Sequence, residues 1–173
     1  MSKEEIKEFN HLIRKISLGD SNALEQFYKI YGRLIYISAF TITKSPYLAD
    51  EVTDDILLKV WLNAKKLKKI KNVKGWLYTI TVNCAKDKLR SESQASISVG
   101  KEIHNPFEEL MDKDEFLYDI ACLNETEQKI VVFRLVEDMT FNDIAKIFKI
   151  PLSSVTSNYY RSLEKIKSNK NSC

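Results

Sequence analysis

Turn-forming residues are scarce in this chain. Gly occurs four times and Pro three times in 173 residues, where an ordinary chain devotes roughly 12% of its positions to the two together. A β-sandwich or barrel needs tight turns at short intervals, and Gly and Pro supply many of them. The chain is therefore expected to be all-α, with long helices and few connections. An apolar content of 44% also excludes collagen-like, mucin-like and wholly disordered classes. No apolar run approaches the roughly 18 residues that a membrane span requires, so no membrane insertion is expected. The opening MSKEEIKEFNHLIRKI is charged throughout and reads as neither a signal nor a transit peptide.

Apolar spacing places the helices. Leu24, Phe27, Tyr28, Tyr31, Leu34, Ile35, Ser38 and Ile42 recur at three and four residues, one face of a long helix. Gly19 closes the segment before it, Asp20 and Ser21 offer N-caps, and Ser45-Pro46 ends it. Ala49, Val52, Ile56 and Val60, extended toward Leu67, mark a second stripe. A third helix is expected from about Val73 to Arg90, through Trp76, Leu77, Ile80, Cys84 and Leu89. Three or four such helices can bury one small core.

The second half reads as another helical unit. Asn105 with Pro106 opens a stripe through Phe107, Leu110, Met111, Leu117, Tyr118 and Ala121. Asn124 with Glu127, and Thr140 with Asp143, are capping-box-like pairs, each ahead of a helix. Lys149-Ile150-Pro151 then breaks the chain, and Ser153 is positioned to cap a last helix through Val155, Tyr159, Leu163 and Ile166. A short helix, a three-residue break and a longer polar-faced helix form the helix-turn-helix pattern, with Ala145 allowing close approach and Ile150 and Val155 filling the angle.

Charge divides the chain in three. Residues 1–95 carry 17 basic and 11 acidic side chains, residues 96–122 carry 2 and 7, and residues 123–173 carry 8 and 6. The net charge of +3 is thus a cancellation between two basic ends and an acidic middle. The run SESQASISVGKEIHNP, which leads into that middle, is rich in Ser and poor in apolar periodicity, and reads as a flexible linker. The expected division is a helical domain over 8–92, an acidic linker over 93–115 and a helix-turn-helix domain over 116–170.

Three segments carry recognisable chemistry. Lys65, Lys66, Lys68, Lys69, Lys71 and Lys74 place six positive charges in ten residues without an acid, which on one surface would bind a polyanion by counterion release. Trp76, Tyr78 and Asn83 follow directly and could stack on or hydrogen-bond to unpaired bases. Asp50, Glu51, Asp54 and Asp55 form like-charge pairs at i, i+4, which destabilise an isolated helix and suit a basic partner surface. No nucleophile, phosphate-binding loop or His accompanies them, so no catalysis is expected. In the last helix Ser153, Ser154, Thr156, Ser157, Asn158, Tyr160 and Arg161 would face outward, offering hydroxyls, an amide and a guanidinium to phosphates and base edges.

Taken in order and with these gaps, the segments resemble a bacterial sigma factor of the small extracytoplasmic-function type, over about residues 23–167. Ala49-Asp50-Glu51-Val52-Thr53-Asp54-Asp55-Ile56-Leu57-Leu58-Lys59-Val60-Trp61 follows that family's core-binding helix. Trp76-Leu77-Tyr78, Ile80, Asn83, Asp87 and Arg90 follow its promoter-melting segment, and Leu123, Glu127, Phe133, Asp143-Ile144-Ala145, Pro151, Val155, Ser157 and Arg161 its last domain. The resemblance implies a factor that binds core RNA polymerase, directs it to promoter DNA and helps melt the minus-ten element.

In that scheme Asp50, Glu51, Asp54, Asp55, Leu58 and Trp61 dock on the clamp of the polymerase's largest subunit. Lys65, Lys66, Lys68, Lys69, Lys71, Lys74, Trp76 and Asn83 engage the minus-ten element. Ser153, Ser154, Thr156, Ser157, Tyr160 and Arg161 engage the minus-thirty-five element, with the flap of the second subunit as a further contact. The acidic linker follows the RNA path, and an anti-sigma factor is a further implied partner. The weak sites would be joined by a tether, which raises their effective concentration.

Thr79, Val82, Thr156 and Asn158 stand where family members often carry Arg or Lys. Weak intrinsic affinity for duplex DNA follows as an expectation. A helix-turn-helix regulator acting without the polymerase accounts for the last domain as well, but leaves the acidic helix and the Trp76–Arg90 segment without a role. A scaffold that binds only protein leaves the lysine run idle.

The cysteines add little. Cys84, Cys122 and Cys173 are widely spaced and lack a CxxC pair, and the chain has two His residues, His11 and His104. No disulfide framework, metal site or cofactor is expected. Cys84 and Cys122 read as small core residues, and a reducing cytoplasmic interior is the expected location.

Overall fold

The computed structural model describes residues 3–67, 70–99 and 115–170. Among them are eight α-helices and a 3₁₀ turn, with no strand: α1 (Lys3–Ile16), α2 (Ser21–Thr43), α3 (Pro46–Asn63), the turn Ala64–Lys66, α4 (Val73–Val99), α5 (Glu115–Ala121), α6 (Glu125–Leu135), α7 (Phe141–Phe148) and α8 (Leu152–Lys170). Lys68, Lys69, Cys173 and the expected apolar stripe at Phe107, Leu110 and Met111 lie outside the described residues.

Helix α1 was not expected from the sequence. Its charges hide a stripe of Phe9, Leu12, Ile13 and Ile16, all buried, at the i, i+3, i+4, i+7 spacing of one helix face. Glu4 and Glu5 in its first turn and Arg14 and Lys15 in its last complement the helix dipole. Gly19 leaves α1 at φ +88°, where a Cβ would be strained. The Asp20 carboxylate then accepts from Ala23 N at 3.1 Å, the expected cap of α2.

Helix α2 is the centre of the molecule. Its second half is buried nearly all round, through Leu34, Ile35, Ile37, Ser38, Ala39 and Phe40, because α1, α3 and α4 pack on it from different sides. It ends at Lys44 in the left-handed region, whose N–H donates to Phe40 O at 2.9 Å. Ser45 caps α3, with Pro46 in its first turn. The expected inner stripe of α3, Ala49, Val52, Ile56 and Val60, is buried. Leu67 falls after the 3₁₀ turn and packs half-buried on the core.

Helix α4 starts where expected, with Gly75 N donating to the Asn72 side chain at 3.1 Å. It continues past Arg90 to Val99. Ser91, Glu92, Ser93 and Gln94 contain no helix breaker, and the next Gly is Gly100, so the linker's first residues extend the helix. Cys84 is buried on the inner face, as expected, whereas Cys122 is exposed just past α5.

In the second half Asn124 and Glu127 form the expected capping box: Thr126 N and Glu127 N both donate to Asn124 Oδ1 at 3.0 Å, and Asn124 N donates to Glu127 Oε2 at 3.1 Å. The Thr140 hydroxyl caps α7 by accepting from Asp143 N at 3.2 Å. Helix α8 begins at Leu152, one residue before the expected cap. Val155 N donates to Pro151 O at 3.1 Å, so Pro151, with its fixed φ, leads directly into the first turn and Ser153 lies inside it.

The two bundles share one core. α2 packs on α5 and α6, and Tyr78 of α4 meets Phe133 of α6 and Phe148 of α7 edge to face, at 5.4 and 5.3 Å between ring centroids. The two phenylalanines also meet each other at 4.8 Å.

Candidate functional site

Three surfaces carry the side chains singled out above. On α3, Asp50 and Asp54 are exposed, while Glu51 and Asp55 are partly covered. The Lys88 ammonium of α4 lies 3.0 Å from Glu51 and 3.6 Å from Asp55, so it relieves the i, i+4 repulsion on that side of the helix. Its hydrogen bond, with a second from the Tyr47 hydroxyl at 2.8 Å, holds the Glu51 carboxyl below the usual carboxylate range. The Glu51 bond in turn raises Lys88.

Below the acids, Leu58 is 54% exposed and Leu62 69% exposed, while Trp61 leans half-buried on the core. Leu18, in the turn after α1, is 78% exposed and borders the same depression as Trp61, Leu62 and Lys65. Leu62 and Leu18 were missed in the sequence. Leu62 repeats Leu58 at i+4 and was legible, whereas Leu18 reaches this face only through the α1–α2 turn.

The lysine run divides. Lys65 and Lys66 sit exposed on the 3₁₀ turn, and Lys71 is exposed ahead of α4. Lys74 is spent within the fold: its ammonium lies 2.7 Å from the Glu137 carboxylate and 3.6 Å from Glu5, and donates to Glu137 O at 3.3 Å. Trp76 is half-buried and meets Phe9 edge-on at 6.0 Å, so part of its ring packs on α1. Tyr78, between Phe133 and Phe148, is 8% exposed, and burial holds its phenol far above the usual range. On α2, burial, reinforced by Glu8, Glu5 and Glu137, pushes Tyr31, edge-on to Phe9, up to about 12. Asn83 is exposed one turn further on.

The second bundle, together with α1, covers the start of α4. A Cβ on Gly75 would lie 2.8 Å from Ile147 Cγ2 of α7 and 2.4 Å from the Asn72 amide, so glycine is what lets α4 and α7 approach here.

Helices α7 and α8 form the helix-turn-helix. Ile144, Ala145 and Val155 are buried at the crossing, and Ile150 packs half-buried on the core. Ser153, Ser157, Tyr160 and Arg161 are exposed, whereas Ser154, Thr156 and Asn158 are half-buried. Two expected donors bond to the helix's own backbone: the Thr156 hydroxyl donates to Leu152 O at 2.7 Å and the Asn158 amide to Ser154 O at 2.7 Å. Leu152, missed in the sequence, opens the face and is 45% exposed.

Lys165, on α8, anchors the motif to the rest of the bundle by gripping Glu127 at 2.7 and 2.9 Å. Burial works to raise the Glu127 carboxyl, but Lys165 and Asn124 N–H overcome it and leave it below the usual range.

Among the described residues no group of three or more His, Cys, Asp or Glu could hold a metal, and no helix is long and apolar enough to cross a membrane.

The chain is similar to known proteins over both bundles. The family description Sigma-70 region 2 matches residues 27–95, and Sigma-70, region 4 matches residues 116–166. The extracytoplasmic-function (ECF) RNA polymerase sigma factor SigK of Mycolicibacterium vanbaalenii is 24% identical over 162 residues, covering 87% of this chain and 83% of that protein. The ECF sigma factor SigW of Bacillus subtilis is 18% identical over 174 residues, covering 90% and 92%. Among solved structures, CnrH in complex with the cytosolic domain of CnrY superposes with a TM-score of 0.61 at 14% identity, over 94% of this chain and 97% of CnrH. RpoE bound to the anti-sigma factor NepR, from Bartonella quintana, gives 0.59 at 17% identity, over 83% and 94%.

Proposed function

The chain belongs to the sigma-70 family, in its extracytoplasmic-function group, and from that premise we propose how its surfaces divide the work of promoter recognition. It is a sigma factor, a subunit through which RNA polymerase finds promoters and starts transcription. The observation that carries the division is that the acid-and-leucine face of α3 and the outer face of α8 are both exposed, and lie on different bundles.

Asp50 and Asp54 with Leu58, extended by Leu62 and flanked by Glu51, Asp55 and Trp61, dock on the clamp of the polymerase's largest subunit. The pairing favours a basic partner with apolar side chains between its charges. The N-terminal part of α8 enters the major groove of the minus-thirty-five element while α7 crosses the backbone, the geometry that a helix-turn-helix dictates. Lys65, Lys66 and Lys71 meet phosphates near the minus-ten element, and Asn83 meets its bases. Lys74 and Tyr78 join them only after the second bundle withdraws from the start of α4, and Trp76 offers the part of its ring that α1 leaves uncovered. The working units are residues 8–92 and 116–170, tethered by 93–115, and the flap of the second subunit holds the later one. An anti-sigma factor is the further partner expected, as NepR is for RpoE.

The test is to add the chain to core polymerase on a library of promoter fragments and to sequence the transcripts. Promoter-specific initiation that needs both components supports the reading. A chain that footprints duplex DNA alone and yields no specific transcripts is instead a helix-turn-helix regulator.

A further inference from the structure

The outer face of α8 is more apolar than a groove-reading helix needs to be. Leu152, Thr156 and Tyr160 follow one another at i, i+4 and i+8, so they share one side of the helix. Leu152 is 45% exposed and Tyr160 59% exposed, with no bundle residue covering either fully. Thr156 keeps its hydroxyl turned to the backbone, donating to Leu152 O at 2.7 Å, with Ser153 O at 3.2 Å. What it presents outward is therefore chiefly its methyl. Tyr160 is held in place by its edge contact with Tyr159 at 5.5 Å, and Phe141 of α7 lies 6.3 Å away. Phe141 and Leu152 also border one shallow concavity, together with Thr156.

We propose that Leu152 and Thr156, backed by Tyr160, read thymine C5-methyl groups in the upstream promoter element. This rests on the promoter-binding reading above. Of the groups that base pairs display in the major groove, the thymine methyl is the apolar one, while guanine, adenine and cytosine edges offer acceptors and donors. A leucine pressed on the guanine edge strips water from two acceptors and returns no hydrogen bond, which is costly. Against a thymine methyl it loses nothing. Leu152 and Thr156 lie about 6 Å apart along the helix axis, close to two base-pair steps of about 3.4 Å. The element is therefore expected to carry two thymines at that separation, on one strand or split between the two. Arg161, the one cation among the first nine residues from Ser153, grips the backbone or a flanking guanine.

The test uses holoenzyme reconstituted from the full chain and core polymerase. Two synthetic duplex promoter libraries are randomised at the upstream and downstream hexamers, across a range of spacer lengths. They are identical except that the upstream hexamer contains thymine in one and deoxyuracil in the other, which removes the methyl alone. The expected result is enrichment of two thymines in the upstream hexamer, with about a fourfold loss of enrichment at each when uracil replaces it, the effect of one buried methyl-sized group. Leu152→Ser is expected to abolish the preference and the uracil sensitivity at one of the two positions and to keep the other, with helicity by circular dichroism unchanged. Promoters enriched without upstream thymines, or with thymine and uracil equivalent, overturn the proposal and leave the sigma-factor reading standing. Failure of the holoenzyme to enrich any promoter overturns both.

Discussion

Tyr78→Ala is expected to part the two bundles. In the folded chain the Tyr78 ring is 8% exposed and rests edge-on against Phe133 and Phe148, both on the second bundle, at 5.4 and 5.3 Å. Each such ring pair contributes about 0.5–1.5 kcal/mol beyond area burial, and burying an aromatic side chain of this kind contributes about 1.5–3 kcal/mol. Part of that burial is against the first bundle and survives parting, so the loss to the joint is about 2–3 kcal/mol. At 1.4 kcal/mol per decade, the parted population rises roughly 30- to 150-fold. The assay is the radius of gyration by small-angle X-ray scattering, with hydrogen exchange read at α6 and α7. Tyr78→Phe keeps both ring contacts and serves as the control, expected to behave like the natural chain. If Tyr78→Ala lowers thermal stability while scattering and exchange at α6 and α7 stay unchanged, Tyr78 is a core residue of the first bundle alone. The covered minus-ten segment then needs another explanation.

Other substitutions probe the remaining surfaces. Asp50→Lys with Asp54→Lys is expected to reduce association with core polymerase at least tenfold by co-purification while leaving helicity intact, because both side chains are exposed and support nothing inside the fold. Gly75→Ala is expected to cost about 1–3 kcal/mol, read as a lower melting temperature, since its Cβ would crowd Ile147 and Asn72. Glu127→Gln loses the charged bond to Lys165 and is expected to cost about 2 kcal/mol at neutral pH. The Glu127 carboxyl is held below its ordinary value of 4.5, so its contribution is complete above that pH and lost as pH falls through the lowered value. The melting curves of natural chain and variant should therefore converge in acid, and a gap that persists there would refute the assignment. Without polymerase, the chain is expected to bind promoter duplex more weakly than nanomolar at physiological salt, measured by anisotropy.

What the sequence determined was local. The caps at Asp20, Asn124 and Thr140, the stop at Ser45-Pro46 and the helix-turn-helix break at Lys149-Ile150-Pro151 depend on partners two to five residues away, so residue type and spacing sufficed. The inner stripe of α3 was legible for the same reason, since it repeats within one helix. The acids of α3 could be seen as a face, but that Lys88 bridges two of them depends on how α3 crosses α4. Helix α1 escaped because its four buried side chains are apolar only in a setting that α2 provides, while its charges dominate the local pattern. The far end of α4 escaped because helix-permissive serines resemble a linker until the preceding turns anchor them.

Tertiary structure alone decided which groups remain available. Lys74, Trp76 and Tyr78 look in sequence like one nucleic-acid-binding cluster with Lys71 and Asn83. In the fold Lys74 is bound to Glu137, 63 residues away, and Tyr78 is bound to Phe133 and Phe148. Spacing along one helix says which side chains share a face; it carries no information about the distant face that covers it. That pairing is set by the fit of two whole surfaces, down to the missing Cβ of Gly75.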